Sequence, residues 1–399
     1  MNELPDLEKF EGDFSSMWRL DDRPPLFRLT WDWWWWLVML DDENGKPSGK
    51  QFMILWSTKD NSIVDVNSQE WRPSARPGKG TNGELVLDGM VCAWWFDGEV
   101  MHDEIISEQC KLISMKDDNV KWPGRIEKTQ GGGAVIPILE EDNSMGLNSD
   151  LSEFWINAKS YRNKLNNTPQ SFSFKIKPWN RAMSTARYAT ADYGAGMGYD
   201  ILRLHGSKVL ATIDGVESKG TAYFQKVKVQ APAVPWYWGM LHFSAGSYLD
   251  WFVPHISPLI FARTPKSWKI TDQVHFSVSM GGLFHDAKFQ RSEKFNRVSV
   301  KKIMSEKKIL RHGKMEALPI FDVTISSPRT KISLRAQAVE RAHWYFDQPT
   351  RGGMTSHLTY NEYPLEIHSL EIQNEFETRK LTDYEWIRGN AEHSWGLLH

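Results

Sequence analysis

The sequence has little cysteine, no long apolar run and almost no excess charge, and each absence excludes a class of protein. Its two cysteines, Cys92 and Cys110, are too few for a disulfide framework and lack the spacing of a zinc site. The longest apolar run, Trp33 to Leu40, has eight residues, whereas a helix that crosses a membrane needs about 20. The formal net charge is −2, so no overall field attracts nucleic acid.

Signals for export and for a cofactor are also lacking. Met1 to Lys9 is acidic and has no basic stretch followed by an apolar one, so we expect no secretory signal and a cytoplasmic protein. The glycines Gly131 to Gly133 and Gly194 to Gly198 lack the Gly-Lys-Ser/Thr of a phosphate-binding loop. No set of histidine and acidic residues has a metal-site spacing, and we expect neither a cofactor nor a metal.

Tryptophan, in contrast, is abundant, at 20 of 399 residues. An indole buries a large area and carries one N–H that needs a partner, whereas leucine and isoleucine fill a core equally well. So many indoles indicate wide apolar surfaces that hold rings, chains or sugars. The chain is also longer than the roughly 250–300 residues at which one hydrophobic core stops growing, which predicts two domains.

Alternation of apolar and polar residues dominates the chain and predicts a mainly β fold. Phe172, Phe174 and Ile176 alternate with Ser and Lys, as expected of antiparallel strands with one solvated face. One segment instead follows steps of three and four, which predicts a helix from Leu151 to Leu165 capped by Asp150.

An internal repeat supports the division into two domains. Trp31-Asp-Trp33 begins a β run that turns at Gly45, and Trp236-Tyr-Trp238 begins a similar run that turns near Gly246. The two copies are 205 residues apart, about half of the chain. We therefore predict an N-terminal barrel domain over 1–232 and a C-terminal barrel domain over 233–399.

These segments carry a resemblance to a known family. The Trp-rich strand and glycine hairpin of Trp31 to Trp56, the strand pair of Leu202 to Gln225, and the segment Trp236 to Phe252 resemble proteins related to carotenoid 1,2-hydratase and the lipocalin-like AttH proteins (hydroxyneurosporene synthase-like). The resemblance implies two lipocalin-like antiparallel β-barrels packed side by side, with one or few helices. It also implies an apolar pocket for an isoprenoid or a similar lipid.

One departure from the family bears on the reaction. In the hydratase branch, the strand after the glycine turn carries an acidic residue or a histidine before Trp-Gly. Here that stretch is Gly220 to Val227, and it contains neither. A similar string, Glu392-His-Ser-Trp-Gly396, occurs at the very C-terminus of the sequence, and an unrelated coincidence is the alternative.

The tryptophan run is the first candidate site. In a strand, Trp31, Trp33 and Trp35 share one face, and Asp32 shares the other with Trp34 and Trp36. We predict that Trp34 and Trp36 contact the substrate and that Asp32, desolvated among rings, is a proton donor. Two alternatives remain open: a central strand buried on both faces, and an Asp32 that simply accepts a hydrogen bond from an indole.

The second candidate site surrounds Trp236. Alternation places Trp236, Trp238 and His242 on one face, and His242 with Asp250 is predicted to act as acid and base. The alternative is a hydrogen-bonded pair at a barrel rim. The residues predicted to contact substrate in this half, together with one from the preceding domain, are Trp236, Trp238, Tyr248, Trp251 and Tyr223.

These features predict a cofactor-independent enzyme that hydrates, cyclises or isomerises a carbon–carbon double bond of a hydrophobic isoprenoid or terpenoid-type substrate. The alternative is a lipid-binding protein without chemistry, and carbohydrate binding is a third, weaker option. The basic run Arg297 to Lys314 predicts peripheral contact with an anionic membrane surface, or else a solvated hairpin. A nucleic-acid partner is not expected.

Overall fold

The computed structural model describes residues 4, 7–11, 30–59, 63–73, 78–79, 85–114, 134–137, 143–148, 150–179, 187–194, 197–230, 235–258, 275–277, 280–311, 313–350 and 353–398. In these ranges the regular structure is β-strand, apart from two 3-10 turns at Ser244–Gly246 and Leu381–Asp383. None of the described residues form a helix with the length and hydropathy needed to cross a membrane.

The described part of the first half contains these strands: β1 (Thr30–Asp41), β2 (Pro47–Lys59), β3 (Val64–Val66), β4 (Gln69–Trp71), β5 (Gly78–Lys79), β6 (Leu85–Phe96), β7 (Met101–Ser114), β8 (Ala134–Pro137), β9 (Ser144–Leu147), β10 (Phe154–Leu165), β11 (Thr168–Pro178), β12 (Arg187–Gly194), β13 (Met197–Ile213) and β14 (Val216–Gln230). The second half contains these: β15 (Trp236–Phe243), β16 (Tyr248–Ile256), β17 (Phe276–Ser277), β18 (Gly281–Asp286), β19 (Arg291–Phe295), β20 (Arg297–Arg311), β21 (Lys314–Ser326), β22 (Lys331–Ala338), β23 (Ala342–Pro349), β24 (Thr355–Gln373), β25 (Thr378–Lys380) and β26 (Ile387–Leu398).

The first sheet closes into a barrel. Its strand order is β11-β10-β9-β8-β7-β6-β2-β1-β14-β13, and β11 pairs again with β13. Because side chains alternate across a strand, one face of every strand points into the barrel. That interior is a single apolar core that includes Trp34, Trp36, Phe52, Phe174 and Phe224.

The second sheet wraps round a core of its own. Its strands run in the order β19-β18-β16-β15-β26-β24-β22-β21-β20, and the two terminal strands are consecutive in the chain. The ends of the sheet therefore meet at a corner near residue 296. Its interior includes Tyr237, Trp251, Phe321 and Ile332. The predicted mainly β fold, with two antiparallel barrels side by side, is confirmed.

The predicted helix at Leu151 to Leu165 is wrong, because this segment forms strand β10. Phe154, Ile156 and Ala158 are buried while the residues between them are more exposed, so a period of two was present beside the helical one. Pairing with β11 places Ile156 opposite Phe174 and adds both to the first core. The choice between the helical period and the strand period is made by pairing with a neighbouring strand. The local sequence pattern does not predict that pairing.

The predicted domain boundary at 232/233 lies outside the described residues. Within them, β1, β2 and β5–β14 belong to the first sheet, and β15–β26 belong to the second. The short strands β3 and β4 are the exception. They precede most of the first barrel in the chain, yet β3 pairs with β23 and extends the second sheet.

The two barrels pack through the outer faces of β1, β2, β14, β15 and β26. Trp35 and Met53 of the first barrel contact Trp238 and Met240 of the second in one apolar cluster. Polar groups fix the alignment at one edge: Asn390 Nδ2 donates to Gln51 Oε1 at 2.9 Å. Gln51 Nε2 in turn donates to the carbonyl of Gly389 at 3.0 Å.

Candidate active site

A cavity of about 110 Å³ lies between the two barrels. This is several times the roughly 10–15 Å³ that one water needs on the same measure. Both barrels supply its wall, which is mainly aromatic and aliphatic: Trp31, Trp33, Trp35, Leu55, Lys59, Tyr199, Ile201, Gln225, Val227, Val229, Trp236, Trp238, Phe252, Pro254, Phe346, Gln348, Ser356, Leu358, Tyr360 and Glu392.

Strand alternation explains which tryptophans reach this cavity. The even-numbered residues of β1 fill the first barrel, so Trp31, Trp33 and Trp35 point outward into the wall. In β15 the relation is reversed, because Tyr237 points into the second barrel while Trp236 and Trp238 point toward the first. The rings from the two sides meet edge to face, with Trp35 and Trp238 at 5.3 Å.

Glu392 lines one end of the cavity, and Glu362 lies next to it on the neighbouring strand. Glu362 in β24 is the direct partner of Glu392 in β26, so both carboxyl groups project from the same face. Tyr360 shares this face, and its hydroxyl donates to Glu392 Oε1 at 2.6 Å. Trp236 Nε1 donates to Glu392 Oε2 at 2.7 Å. Trp35 Nε1 lies 3.4 Å from Glu362 Oε1.

Burial and proximity keep protons on this acid pair. Desolvation raises the pKa of Glu392 to about 7, against the opposing effect of the hydrogen bonds from Tyr360 and Trp236. Desolvation and then the adjacent Glu392 carboxylate raise the pKa of Glu362 well above its usual range. Two carboxyl groups this close do not both ionise in a buried site. At neutral pH Glu362 therefore retains its proton, and Glu392 can give or accept one.

The predicted proton donor Asp32 lies elsewhere. It is buried on the even face of β1, inside the first barrel, and forms an ion pair with the buried Lys226. The Lys226 ammonium also lies over the Trp34 ring, 4.8 Å from its centroid. Asp32 is thus separated from the cavity by its own strand.

The predicted pair His242 and Asp250 is not brought together as acid and base. His242 is fully buried, and desolvation lowers its pKa to about 3. Its Nε2 donates to the His205 carbonyl at 2.6 Å, and its Nδ1 accepts from the Thr221 hydroxyl at 2.8 Å. This geometry holds a neutral imidazole that has used both nitrogens.

Asp250 is instead the centre of an ion-pair network between the barrels. His205 Nε2 lies 2.9 Å from Asp250 Oδ2, and Arg203 Nη1 lies 3.6 Å from it. Burial alone would raise the pKa of Asp250, but His205 and then Arg203 outweigh it and lower the pKa. The carboxylate remains charged and joins β16 of the second barrel to β13 of the first.

The residues predicted to contact substrate divide into three groups. Trp236 and Trp238 line the cavity. Trp34, Trp36 and Trp251 lie inside the barrel cores. Tyr223 and Tyr248 lie between the barrels but outside the cavity wall: Tyr223 packs against Trp35, and Tyr248 stacks on His205 at 4.9 Å.

Sequence reasoning missed the acid pair, although signals for it were present. The string Glu392-His-Ser-Trp-Gly396 resembles the family's acid strand and contains one glutamate of the pair. Tyr360 and Glu362 are two residues apart in a buried part of β24. Their side chains therefore lie on the same face of the strand, which places a carboxyl group beside an aromatic ring. Only the pairing of β24 with β26 brings these two glutamates, which are 30 residues apart in sequence, next to each other.

Within the described ranges, no group of three or more His, Cys, Asp or Glu side chains is arranged to hold a metal ion. Fold and site together define a mainly β protein with an aromatic cavity between two barrels and a buried acid pair, of which Glu392 lines the cavity. No protein-family model matches the chain, and no curated protein matches it.

Three solved structures are similar to this one over nearly their whole length. A protein assigned as AttH from Nitrosomonas europaea has 11% identity, 92% coverage of both chains and a TM-score of 0.46. Kievitone hydratase from Nectria haematococca has 11% identity, coverage of 100% and 98%, and a TM-score of 0.39. CghA with Sch210972 has 10% identity, coverage of 99% and 98%, and a TM-score of 0.46.

Proposed function

We propose that the protein is a cofactor-independent enzyme that protonates a carbon–carbon double bond of a hydrophobic isoprenoid or polycyclic substrate. One observation carries the proposal: the buried Glu392 lines an aromatic cavity, and a second buried carboxyl group, that of Glu362, lies beside it on the neighbouring strand. A general acid is most effective when its pKa is close to the working pH. Glu392, with a pKa raised to about 7 by burial, meets that requirement.

The proposed first step moves one proton. Glu392 transfers its proton to one alkene carbon, the π electrons form the new C–H bond, and the other carbon becomes cationic. Glu362 retains its own proton, and the Tyr360 hydroxyl continues to donate to the Glu392 carboxylate that is formed. That hydrogen bond stabilises the conjugate base and limits the rise in its energy.

The indoles of the wall stabilise the cation, because their π-faces attract positive charge. Three outcomes then close the cycle. Loss of a neighbouring proton to Glu392 gives an isomer, and attack by a second double bond followed by such a loss gives a ring. Addition of water, whose proton returns to Glu392, gives an alcohol. Each outcome restores the acid and needs no change of oxidation state overall.

Incubation of a polyene and polyprenyl panel in deuterium oxide or oxygen-18 water tests the proposal. We expect deuterium or oxygen-18 in a product, and we expect Glu392→Gln to reduce turnover by about 100-fold or more, as for loss of a general acid. Glu366→Gln is the matched control, since Glu366 is on the same strand but exposed. Substrate returned unlabelled and unchanged across the panel would favour the alternative, a lipid-binding protein.

We also propose that the β20–β21 hairpin, which contains the basic run, contacts anionic lipid. Met304, Leu310 and Met315 expose 57%, 72% and 61% of their surface beside several lysines. Leu310 and Met315 are cross-strand partners and form one apolar tip. Vesicles with and without phosphatidylserine test this. Wild type should sediment only with the anionic vesicles, and Leu310→Ser, Met315→Ser should not.

A further inference from the structure

The end of the cavity remote from the acid pair contains two buried polar side chains. Gln348 in β23 and Ser356 in β24 are direct cross-strand partners, and both line the cavity. They are 5% and 1% exposed. The Gln348 Oε1 and Ser356 Oγ atoms are fully buried and have no hydrogen-bond partner among the described residues. Such atoms are costly to leave unpaired, so the pair is suited to binding a polar ligand atom.

A buried cation lies at the same end. Lys59 is 4% exposed, lines the cavity and lies over the Trp31 ring, 4.0 Å from its centroid. Trp31 in turn contacts Phe346 at 5.0 Å, and Phe346 is two residues from Gln348 on one face of β23. A lysine ammonium has three N–H donors, so it can hold a ligand oxygen beside its other contacts.

The polar end and the acid end are well separated. Ser356 and Glu362 are six residues apart on the same face of β24, which is about 20 Å at the rise of a strand. Between them the wall consists of Leu358, Tyr360 and the indoles opposite. The cavity therefore offers donors and positive charge at one end, an apolar middle, and a proton donor at the other.

We infer that Lys59, Gln348 and Ser356 form a recognition site for the anionic oxygen end group, such as a carboxylate, of an otherwise apolar substrate. Lys59 supplies the counter-charge and the Ser356 hydroxyl donates, while Gln348 Oε1 accepts a hydrogen bond from a water bound beside the anionic group. The inference rests on the proposed function in taking this cavity as the substrate site. It adds the substrate class, which is an apolar acid. The double bond that reacts at Glu392 lies roughly 15–20 Å from the carboxylate of this acid.

Two probes that share one polyene and differ in the end group test the inference. All-trans-retinoic acid carries a carboxylate and retinol carries an alcohol, and both quench tryptophan fluorescence on binding. We expect wild type to bind the acid about tenfold more tightly, or more, because a charged hydrogen bond is much stronger than a neutral one. We expect Lys59→Met to bring the two affinities within about threefold, mainly by weakening the acid.

Ser356→Ala provides a second test that does not depend on folding. Its hydroxyl has no hydrogen-bond partner among the described residues, so the variant should keep the thermal midpoint of wild type and still bind the acid several-fold more weakly. Glu366→Gln, at an exposed position of the same strand, is the matched control and should keep the acid preference. Equal binding of both probes, binding of neither, or a preference that persists in Lys59→Met would overturn the inference.

The two proposals fail in different ways. An acid preference without any turnover contradicts only the proposed reaction. Turnover that depends on Glu392, without an acid preference, contradicts only the recognition site.

Discussion

Glu362 and Glu392 face each other across two antiparallel strands, and the Tyr360 hydroxyl donates to Glu392 at 2.6 Å. Like charges placed directly opposite in a sheet are destabilising, and burial increases the effect. The pair persists here because at least one carboxyl keeps its proton. This arrangement keeps a proton on a buried carboxyl group, from which it can be transferred. It also lowers the stability of the fold by an amount that depends on pH.

That cost predicts a pH dependence of folding. Unfolded, Glu392 has a pKa near 4.5, and folded it is raised to about 7 by burial. Between these values the unfolded chain releases a proton that the folded protein retains, so stability falls as pH rises. Glu392→Gln has no such proton and should exceed wild type by about 3 kcal/mol at pH 8, with little difference at pH 4. Urea unfolding at both pH values measures this, and Glu366→Gln should follow wild type.

The ion pair between Asp32 and Lys226 inside the first barrel predicts a large loss of stability when one charge is removed. Removal of both charges should restore most of that stability. Lys226→Met leaves the buried Asp32 carboxylate without its ammonium and should destabilise by about 3–5 kcal/mol. The double variant Asp32→Asn, Lys226→Met removes both charges and should recover most of that loss. Chemical unfolding of the three variants tests it. Turnover by the folded double variant then decides the role that the sequence suggested for Asp32, since a selective loss would return Asp32 to the reaction.

The two faces of the tryptophan run predict opposite phenotypes. Trp36 is fully buried in the first core, and Trp36→Ala should cost about 3–5 kcal/mol of stability. Trp33 lines the cavity and is partly exposed, so Trp33→Ala should cost much less and should weaken binding of retinoic acid. Unfolding and fluorescence titration compare the two. A Trp33→Ala variant that binds normally would remove this ring from the substrate site.

Glycine at position 239 is required by close packing. A methyl group there would overlap the ring of Trp251, which is buried in the second core. Gly239→Ala should therefore destabilise by about 1–3 kcal/mol. Gly281→Ala is the control, because its nearest atom would be the Phe295 carbonyl oxygen at 4.0 Å. Thermal unfolding should separate the two variants, and equal midpoints would mean that the Trp251 ring moves aside freely.

Local pattern was enough to predict much of the fold. Alternation such as Phe172, Phe174 and Ile176 marks a strand because each residue's face is set by its immediate neighbours. The Trp-x-Trp repeat marked β1 and β15 as equivalent first strands, and they do lie together between the barrels. The segment at Leu151 to Leu165 fitted two periods at once, and only its pairing with β11 selected the strand.

The candidate site was decided by tertiary structure. The alternation of side chains along one strand predicts that Trp31, Trp33 and Trp35 share one face and that Asp32 shares the other with Trp34. This alternation does not predict which face packs against the second barrel, because both faces are apolar. The alternation also does not predict that Glu362 lies beside Glu392, because this contact depends on the register of β24 with β26. Faces follow from the geometry of one strand, whereas a cavity and two adjacent carboxyl groups depend on distances between strands that only packing sets.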